Sequence, residues 1–426
     1  MLMSIKLEIP IKEEYDVAVI GGGTAGVFAA HSAALSGAKT ILIEKTGMLG
    51  GTMTNSYVNY PGIFQFWHKH FITGPCWDVM LRLEAAGAAQ MPANEYAPKR
   101  FSSQQIRLDP FLLAVELERL VRESGATILM HTMVSYAEEA DGGVRLVFTG
   151  KEGMWGAFAR KVVDASGDAN VVTMLGYETV RSEVLQPATY ANRLEGYNIN
   201  EIDEAEVAAE FEKAFSEGYL DRHYFSWKTP YDMLKRKKMD MHIPCTGAED
   251  SASKTALELE GHEFLARALS VYRRIRGCEG IKVKVFSAEC GIRETCRIVG
   301  EDTMTMDKYL SGHVYDDAVS YCFYAVDVHT LGGLKITHLE PETVPTIPYR
   351  ALIPKGSSNV IVAGRTVSSD TETNSAVRVQ APCMSMGTVA GIAAAVAARD
   401  AVPFVAVSYG ELTARLEALG ATVPKK

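Results

Sequence analysis

The sequence lacks the cysteine and histidine clusters of a metalloprotein. Its 426 residues include seven cysteines but no CxxC pair and no multi-cysteine array, so we expect no intrinsic iron–sulfur cluster. His68, His70 and Cys76 fit no standard zinc spacing, so we expect no metal site. An odd number of cysteines without framework spacing is typical of a reducing compartment and of buried thiols.

The sequence also lacks concentrated positive charge and long apolar runs. Its net charge is −9, which disfavours nucleic acid and anionic membranes as partners. The one basic run, residues 235–238, is typical of a solvated helix end. The N-terminus has no apolar core of signal-peptide length, and the apolar run at residues 389–398 is too short to cross a bilayer. We therefore expect a cytoplasmic protein without a membrane partner.

What the sequence does hold is a strand, a glycine turn, a helix and a second strand near its N-terminus. An apolar strand at residues 15–20 leads into GGGTAG, an alanine-rich helix follows at residues 27–36, and a strand at residues 40–44 ends in Glu44. This order predicts a dinucleotide-binding fold.

The residue types in this segment suit a bound dinucleotide. Gly21 permits the tight turn, Gly23 lets the backbone approach a pyrophosphate, and Gly26 lets the helix close on the strand. The helix N-terminus offers N–H groups to phosphates, and Glu44 can accept hydrogen bonds from ribose hydroxyls.

Later segments favour FAD over NAD as the dinucleotide. Residues 50–52 form a second flexible turn, and strands that lead into small-residue turns recur at residues 162–168 and 359–365. A small-residue helix at residues 383–399 could present its N-terminus to the electron-rich edge of a flavin. No second GxGxxG follows a strand, so we expect no separate NAD(P)H domain.

Eight sequence elements together resemble one family: GGGTAG (21–26), LGGTMT (49–54), VDASGDA (163–169), GIRETCRIVGE (291–301), DVH (327–329), IPYRALIPKG (347–356), NVIVAGR (359–365) and RVQAPCMSMGTVAG (378–391). The chain resembles the FAD-dependent oxidoreductases related to the flavoproteins of fumarate reductase and succinate dehydrogenase and to the flavoprotein of heterodisulfide reductase, in a bacterial branch. RETCRIVGE, DVH and IPYRALIPKG are the selective elements.

This resemblance implies FAD along the N-terminal sheet, below a cap or substrate domain. It implies cofactor contacts from Gly21, Gly23, Thr24, Ala25, Gly26, Glu44, Lys45, Gly50, Gly51, Thr52, Val134, Ala165, Gly167, Gly364, Arg365, Ser375, Arg378 and Val379.

The expected fold class is α/β: a Rossmann-like, glutathione-reductase-like FAD-binding domain with an inserted α+β cap. We expect the FAD domain at residues 1–180 and 346–426, and the cap at residues 181–345. Within the cap, helices are predicted at residues 203–217 and 255–276, and strands at 282–287 and 318–328.

Asp327 and His329 are the candidate acid–base pair. Residues two apart in a strand lie on one face, and a carboxylate can orient an imidazole and raise its basicity. With the family resemblance, we expect His329 to be the general base; a purely structural hydrogen bond is the alternative.

Arg293, Arg297, Tyr349 and Arg350 are further candidate catalytic residues at the junction of the two domains. In a helix, Arg293 and Arg297 would share a face and could hold a carboxylate or the flavin O2; in an irregular loop they would pair with neighbouring glutamates. An inter-domain ion pair is the alternative for Tyr349 and Arg350.

Two further features are open to more than one interpretation. Cys290 and Cys296 lack the C-x4-C spacing of flavoprotein disulfide reductases, so we expect them to pack, although a disulfide is geometrically feasible. The aromatic residues between positions 57 and 77 could wall a substrate site or pack against the cap, and we favour packing.

These observations predict an enzyme, an FAD-dependent oxidoreductase that transfers a hydride between flavin N5 and a small polar organic substrate. The electron acceptor or donor is unidentified, and a homo-oligomer stays open. The alternative is an electron-transfer flavoprotein subunit of a larger redox complex.

Overall fold

The computed structural model describes residues 8–93, 101–225, 228–245 and 247–425. In this part of the chain, the helices α1 to α11 are Thr24–Leu35, Pro75–Ala85, Pro110–Glu123, Asn170–Met174, Glu204–Ser216, Pro230–Lys235, Ser251–Tyr272, Met306–Leu310, Thr371–Val377, Gln380–Asp400 and Tyr409–Ala418. The strands β1 to β20 are Ile11–Ile20, Thr40–Ile43, Gln65–Phe66, Lys69–His70, Ala89–Gln90, Arg107–Leu108, Thr127–Leu129, Met133–Ala140, Gly143–Gly150, Gly153–Asp164, Thr179–Val180, Ala188–Glu195, Lys238–Ile243, Lys282–Phe286, Arg297–Ile298, Ala318–Tyr321, Val326–Thr330, Gly333–Thr337, Thr346–Pro348 and Val360–Val362.

The largest sheet has the strand order β7-β2-β1-β10-β9-β8, and β20 also pairs with β10. Strands β7, β2, β1, β10 and β20 run parallel, whereas β9 pairs antiparallel with β8 and β10. β10 changes partner along its length: residues 153–159 pair with β9, and residues 162–164 pair with β20. Strands β2 and β20 are buried along their whole length, as expected for a parallel sheet covered on both faces. The predicted α/β fold class is confirmed.

Helix α10 packs closely along α1 against this sheet. A Cβ atom at Gly387 would lie 2.1 Å from the carbonyl oxygen of Ala25, and one at Gly391 would lie 2.2 Å from that of Ala29. A larger side chain at either glycine would therefore force the two helices apart. Within the described residues, α10 is the one helix long and apolar enough to cross a membrane, and 94% of its most apolar window is buried inside the protein.

A second hydrophobic cluster is built on the antiparallel sheet β13-β12-β14, which we call the cap sheet. Helices α5, α6 and α7 pack with it, and Phe211, Phe264 and Tyr272 are fully buried in this cluster. The predicted helices of the cap are α5 and α7, but α7 begins and ends four residues earlier than predicted. Its start is fixed by Asp250, whose side chain accepts a hydrogen bond from the N–H of Ser253.

The strand predicted at residues 318–328 is wrong, because this segment forms two strands, β16 and β17. Residues 322–325 separate them, of which Cys322, Phe323 and Ala325 are buried, and the pairing partner changes from β19 to β18. Between Met304 and Ile353 most of the buried hydrophobic side chains belong to a hydrophobic cluster of the large sheet. The packing therefore changes near residue 300 rather than at the expected boundary of residue 345, and the division into domains stays a prediction.

Candidate functional site

A cavity of about 1500 Å³ lies between the carboxyl ends of the parallel strands and the cap sheet. This is the edge at which α/β sheets bind their ligands. Its lining includes Gly21, Gly23, Thr24, Ala25, Glu44, Lys45, Gly51, Thr52, Val134, Ala165, Gly167, Gly364, Arg365, Ser375, Arg378 and Val379. Two other expected cofactor residues lie behind this lining. A Cβ on Gly26 would collide with the carbonyl oxygen of Gly21, and the N–H of Gly50 donates to the carbonyl oxygen of Gly22 at 2.9 Å.

Two glycine turns meet at the sheet side of the cavity. Gly21 has a φ of +102°, which glycine adopts readily. A Cβ on Gly51 would lie 2.9 Å from Cα of Gly23, whereas a Cβ on Gly23 would meet nothing closer than 3.9 Å. Helix α1 begins at Thr24, and no side chain caps its N-terminus. The result is a recess without side chains at a helix N-terminus, which suits phosphate groups.

Glu44 lies at the end of β2 on the cavity wall and is 7% exposed. Its Oε2 accepts a hydrogen bond from the N–H of Gly22 at 2.7 Å, and its Oε1 accepts one from the N–H of Thr46 at 2.8 Å. These two bonds fix the carboxylate, and its remaining lone pairs can accept hydrogen bonds from ribose hydroxyls.

Arg365 connects three segments around the cavity. Its guanidinium donates to the carbonyl oxygen of Gly167 at 2.6 Å, to Asp168 at 2.7 Å and to the carbonyl oxygen of Ile292 at 3.1 Å. This side chain therefore holds the turn after β20, the turn after β10 and the entry to the GIRETC segment in fixed positions.

The hairpin β17–β18 carries the predicted acid–base pair. Its register places Asp327 opposite Ile336 and His329 opposite Leu334, and all four residues line the cavity. Directly opposed residues and residues two apart share a face of a hairpin, which explains this common orientation. Leu334 and Ile336 are 40% and 45% exposed, so they form an apolar wall beside the pair.

One hydrogen bond determines the tautomer of His329. Its Nε2 lies 3.3 Å from Oδ2 of Asp327, and a carboxylate can only accept, so the neutral imidazole carries its proton on Nε2. The lone pair is then on Nδ1, which is buried and has no hydrogen-bond partner in the described part of the chain. The main-chain N–H of His329 donates to Oε1 of Gln186 at 3.0 Å, which anchors the strand.

Burial and neighbouring charges set the protonation of this pair. The pKa of His329 is lowered to about 4, first by burial and next by the charge of Arg293, although Asp327 acts to raise it. The imidazole is therefore neutral at neutral pH. Burial acts to raise the pKa of Asp327, but the hydrogen bond with His329 and the nearby arginines outweigh it, and the pKa lies below its usual value. The pair is therefore a neutral imidazole held by a carboxylate.

Arg293 lies beside this pair and contacts a second histidine. Its Nη2 lies 3.3 Å from Nε2 of His242, and its Nη1 donates to the carbonyl oxygen of Pro187. Burial, and next the charge of Arg378, lower the pKa of Arg293 to about 9, which leaves it charged at neutral pH. Burial, and next Arg293, lower the pKa of His242 to about 2, so this imidazole is neutral and accepts the hydrogen bond at Nε2.

Arg378 is the second buried cation of the site. Its Nη2 donates to Oε1 of Gln186 at 3.0 Å, the same atom that accepts from His329, while its Nε has no partner among the described residues. Burial lowers the pKa of Arg378 against the opposing effect of Asp327. Gln186 thus links the cap segment to both the hairpin and the end of α9.

A sequence profile described as FAD dependent oxidoreductase matches residues 16–416. The chain belongs to this family.

Similarity to curated proteins and solved structures is more limited. Over 46 residues the chain is 50% identical to a ferredoxin–NADP reductase of Leuconostoc citreum (strain KM20) and 52% identical to a glutathione reductase of Schizosaccharomyces pombe. These matches cover 11% of this chain and only 14% and 10% of the two relatives. A geranylgeranyl bacteriochlorophyll reductase-like protein from Thermoplasma acidophilum aligns over 96% of this chain and 83% of its own, with 13% identity and a TM-score of 0.45. AlpK aligns over 88% and 60%, with 12% identity and a TM-score of 0.42.

FAD is the cofactor of the family, and the cavity of this FAD-dependent oxidoreductase fits it. The recess at Gly23 and Gly51 suits the pyrophosphate, and Glu44 suits the ribose. Arg378 and the N-terminus of α10 lie on the same cavity wall, where the guanidinium of Arg378 can donate to the oxygen-bearing edge of the flavin ring or to a substrate.

Three predicted catalytic residues of this oxidoreductase lie outside the cavity lining. Arg297 is buried in a different environment: its Nε donates to the carbonyl oxygen of Ser369 at 3.0 Å, and its Nη1 lies 3.6 Å from Glu294. The hydroxyl of the buried Tyr349 donates to the carbonyl oxygen of Phe404 at 3.0 Å. Arg350 is exposed.

The GIRETC segment explains the separation of Arg293 from Arg297. The segment is irregular rather than helical, and Arg297 begins the short strand β15, so the two arginines do not share a face. Of the residues proposed for catalysis from sequence, His329, Asp327 and Arg293 line the cavity, whereas Arg297, Tyr349 and Arg350 have structural contacts elsewhere.

The sequence interpretation missed several polar residues on the cap side of the cavity. Gln186 is buried behind the lining and carries no motif, so only its hydrogen bonds with His329 and Arg378 reveal it. By contrast, β13 reads Lys-Met-Asp-Met-His-Ile, a strict alternation that could have predicted a half-buried strand with Lys238, Asp240 and His242 on one face. The basic run at residues 235–238 was expected at a solvated helix end, but Arg236 and Lys238 line the cavity.

The cysteines and aromatic residues have mixed positions. All seven cysteines are free; Cys290 belongs to the hydrophobic cluster of the cap, while Cys296 packs against a third cluster on the large sheet. Burial raises the pKa of both thiols. Tyr57 and Tyr60 line the cavity. Phe64, Phe66, Phe71 and Trp77 pack in or against the hydrophobic cluster of the large sheet, and Trp67 packs against Phe66 and Phe71. Within the described residues no group of three or more metal-binding side chains is present.

Proposed function

We propose that this FAD-dependent oxidoreductase transfers a hydride between flavin N5 and a small polar organic substrate, with His329 as the acid–base residue. The observation that carries the proposal is the Nδ1 atom of His329. It belongs to an imidazole on the cavity wall, it is unprotonated in the tautomer that Asp327 selects, and it is buried without a partner among the described residues, so a substrate would reach it through a rotation of the ring.

Bound FAD supplies the acceptor or donor of the hydride. During oxidation of an alcohol or amine, the reacting carbon loses a hydride, and the O–H or N–H proton passes to Nδ1 of His329. The resulting imidazolium is stabilised by the carboxylate of Asp327 through Nε2–H. In the reductive direction the imidazolium returns the proton, so one residue acts as base or acid.

Two buried cations would orient the substrate. Arg293 and Arg378 lie near His329. Burial lowers the pKa of both arginines, and the negative charge of Asp327 acts to raise it. Asp240 also acts on Arg293 and Glu294 on Arg378, so the two guanidinium groups select an anion as directed hydrogen-bond donors rather than through a net charge. Such a site favours a substrate carboxylate or an oxyanion that develops during the reaction.

The RETCRIVGE, DVH and IPYRALIPKG elements support a closer kinship with the flavoproteins of fumarate reductase and heterodisulfide reductase, which we include in the proposal. The second electron partner would be a small molecule, another protein or oxygen. The alternative, an electron-transfer component of a larger complex, would use the same cofactor without the acid–base pair.

Anaerobic bleaching of the flavin tests the proposal. The FAD-loaded protein is mixed without oxygen with polyols, amines, hydroxy acids and, after chemical reduction, enoates, and the flavin absorbance is followed. We expect at least one organic compound to bleach the oxidised flavin or to reoxidise the reduced one. Redox exchange with NAD(P)H or electron-carrier proteins alone would overturn the proposal in favour of the electron-transfer alternative.

A further inference from the structure

The cap sheet presents a regular row of polar side chains to the cavity. In β13, Met239, Met241 and Ile243 are fully buried in the cap, so the alternate residues face the opposite way. Those residues, Lys238, Asp240 and His242, all line the cavity.

Strand β12 provides the matching row. Its register pairs Thr189 with His242, Ala191 with Asp240 and Arg193 with Lys238, and Thr189, Ala191 and Arg193 also line the cavity. The two small residues leave space above the inner part of the sheet, whereas the outer end carries two cations. A substrate in this space would extend along the strands from His242 towards Lys238.

The outer end of this row holds more positive than negative charge. We call it the outer cluster: Arg107, Arg193, Lys228, Arg236, Lys238 and Asp240, all on the cavity wall. Four of its cations, Arg107, Arg193, Arg236 and Lys238, stand beside one carboxylate, in a chain whose net charge is −9. Asp240 lies 2.6 Å from Nζ of Lys238 and 3.4 Å from Nη1 of Arg193, so its single negative charge is shared between cations.

Aromatic contacts hold part of the outer cluster in place. Nζ of Lys238 lies 4.2 Å from the ring centre of Tyr60, and the guanidinium of Arg107 lies 5.7 Å from the same ring. Neither Arg107 nor Arg236 forms an ion pair with a carboxylate among the described residues.

Other acids on the cavity wall have partners of their own. Oε1 of Glu249 lies 2.6 Å from Nε of Arg181, and Oε2 of Glu289 lies 3.7 Å from Nζ of Lys254. The side chain of Asp250 caps helix α7. These contacts leave the excess positive charge of the outer cluster in place.

We propose that the substrate carries a doubly charged anionic group, of the phosphate monoester class, that Arg107, Arg236 and Lys238 bind while the reacting carbon lies at His329. The inference rests on the proposed function and adds the chemical class of the substrate. Guanidinium groups match the oxygen geometry of a phosphate, and a dianion offsets more of the excess charge than a single carboxylate does.

The strands also set the length of this substrate. His242 contacts the catalytic end, and Lys238 is four residues away along β13, which corresponds to roughly 13 Å between the two Cα atoms. The side chains of His242 and Lys238 themselves take up part of this Cα–Cα separation. The anionic group would therefore lie on the order of 10 Å from the reacting carbon.

Direct binding to the FAD-loaded protein tests the inference. Loading with FAD fills the phosphate recess at Gly23, so added anions report on other sites. Titration calorimetry would compare methyl phosphate with methyl sulfate, which has a similar shape and a single charge, with inorganic phosphate and with succinate. We expect methyl phosphate and inorganic phosphate to bind at least about tenfold more tightly than methyl sulfate.

Variants locate the site. Arg236→Gln and Arg107→Gln are each expected to weaken methyl phosphate binding about tenfold, and Lys238→Met similarly. Lys235→Met is the matched control, because Lys235 is exposed, one residue from Arg236 and absent from the cavity lining. Arg236 is itself exposed, so its variant should fold even if Lys238→Met does not.

Several outcomes would overturn the inference. They are the absence of phosphate binding to the loaded protein, equal binding by Arg236→Gln and wild type, equal loss in Lys235→Met, and tighter binding of succinate than of methyl phosphate. The assay involves no turnover. A failure here therefore leaves the bleaching test of His329 chemistry unaffected, and a failure of bleaching leaves the binding result unaffected.

Discussion

Nε2 of His329 lies 3.3 Å from Oδ2 of Asp327, and this contact leaves Nδ1 of the same ring as the lone-pair nitrogen. The two residues are neighbours on one face of β17, so the contact is built into a single strand. The rest of the site then acts on this ring: burial keeps it neutral, and Arg293 opposes its protonation.

The substitution Asp327→Asn should reverse the tautomer. An asparagine can donate its amide N–H to Nε2, which would move the ring proton to Nδ1 and remove the base. We expect the rate of anaerobic flavin reduction by substrate to fall by about 10²-fold or more. Stopped-flow absorbance measures it. Asp141→Asn, in the exposed turn after β8, is the control and should reduce at the wild-type rate.

The pH dependence of flavin reduction should report the low pKa of His329. Its pKa of about 4 means that the base stays unprotonated from neutral pH down to about pH 5, and the rate of substrate oxidation should fall only as the pH drops through about 4. A fall centred near the usual histidine value of 6.5 would show that His329 is not buried as described or is not the base.

The buried histidines should also make folding sensitive to acid. The pKa values of His329 and His242 are lowered from 6.5 to about 4 and about 2, so below pH 6.5 the unfolded chain binds protons that the folded protein does not. Their stabilising contribution is complete above pH 6.5 and is lost as the pH falls, on the order of 3 kcal/mol for His329 alone.

Urea unfolding at a series of pH values measures this loss. His329→Asn and His242→Asn should each show a shallower decrease in unfolding free energy between pH 6.5 and 4 than the wild type. Above that range the slopes should coincide, because the imidazoles are neutral in both states. Identical slopes throughout would contradict the burial of these rings.

Glu44→Gln should weaken the binding of FAD. The carboxylate accepts hydrogen bonds from Gly22 and Thr46, and a glutamine would place an N–H group against one of those donors or against the ribose. Loss of a charged acceptor should raise the Kd of FAD by about tenfold or more. Fluorescence titration of the apoprotein measures it, with the exposed Glu152→Gln as the control.

Gly391→Ala should destabilise the contact between α1 and α10. The added Cβ would lie 2.2 Å from the carbonyl oxygen of Ala29, so the helices must separate, at a cost of about 1–3 kcal/mol. Gly410→Ala is the matched helical control, because a Cβ there meets nothing nearer than 4.0 Å. Chemical unfolding of both variants should show a loss for the first only; equal stabilities would contradict the close packing of these helices.

The dinucleotide turn was predictable because its determinants are local. The positions of Gly21, Gly23 and Glu44 follow from one strand, one turn and one helix start, all within 30 residues of sequence. The pair Asp327 and His329 was predictable for the same reason, since a strand places alternate residues on one face.

Other parts of the site depend on contacts between distant segments. Arg297 and Tyr349 lie in sequence elements typical of the family, but their partners Ser369 and Phe404 come from elsewhere in the chain. Gln186 is a functional candidate only because the hairpin and Arg378, at the end of α9, both contact it. The polar face of β13 was overlooked because its alternation follows a basic run that suggested a helix end.

The most direct test is the single-turnover rate of anaerobic flavin reduction in FAD-loaded His329→Gln, with a substrate found in the bleaching panel. His313→Gln is the control, because His313 is exposed and is not part of the cavity lining. We predict that His329→Gln keeps its FAD but is reduced about 10²–10⁴ times more slowly than the wild type, whereas the control is unchanged. Reduction of His329→Gln at the wild-type rate, with FAD fully bound, would contradict the central claim.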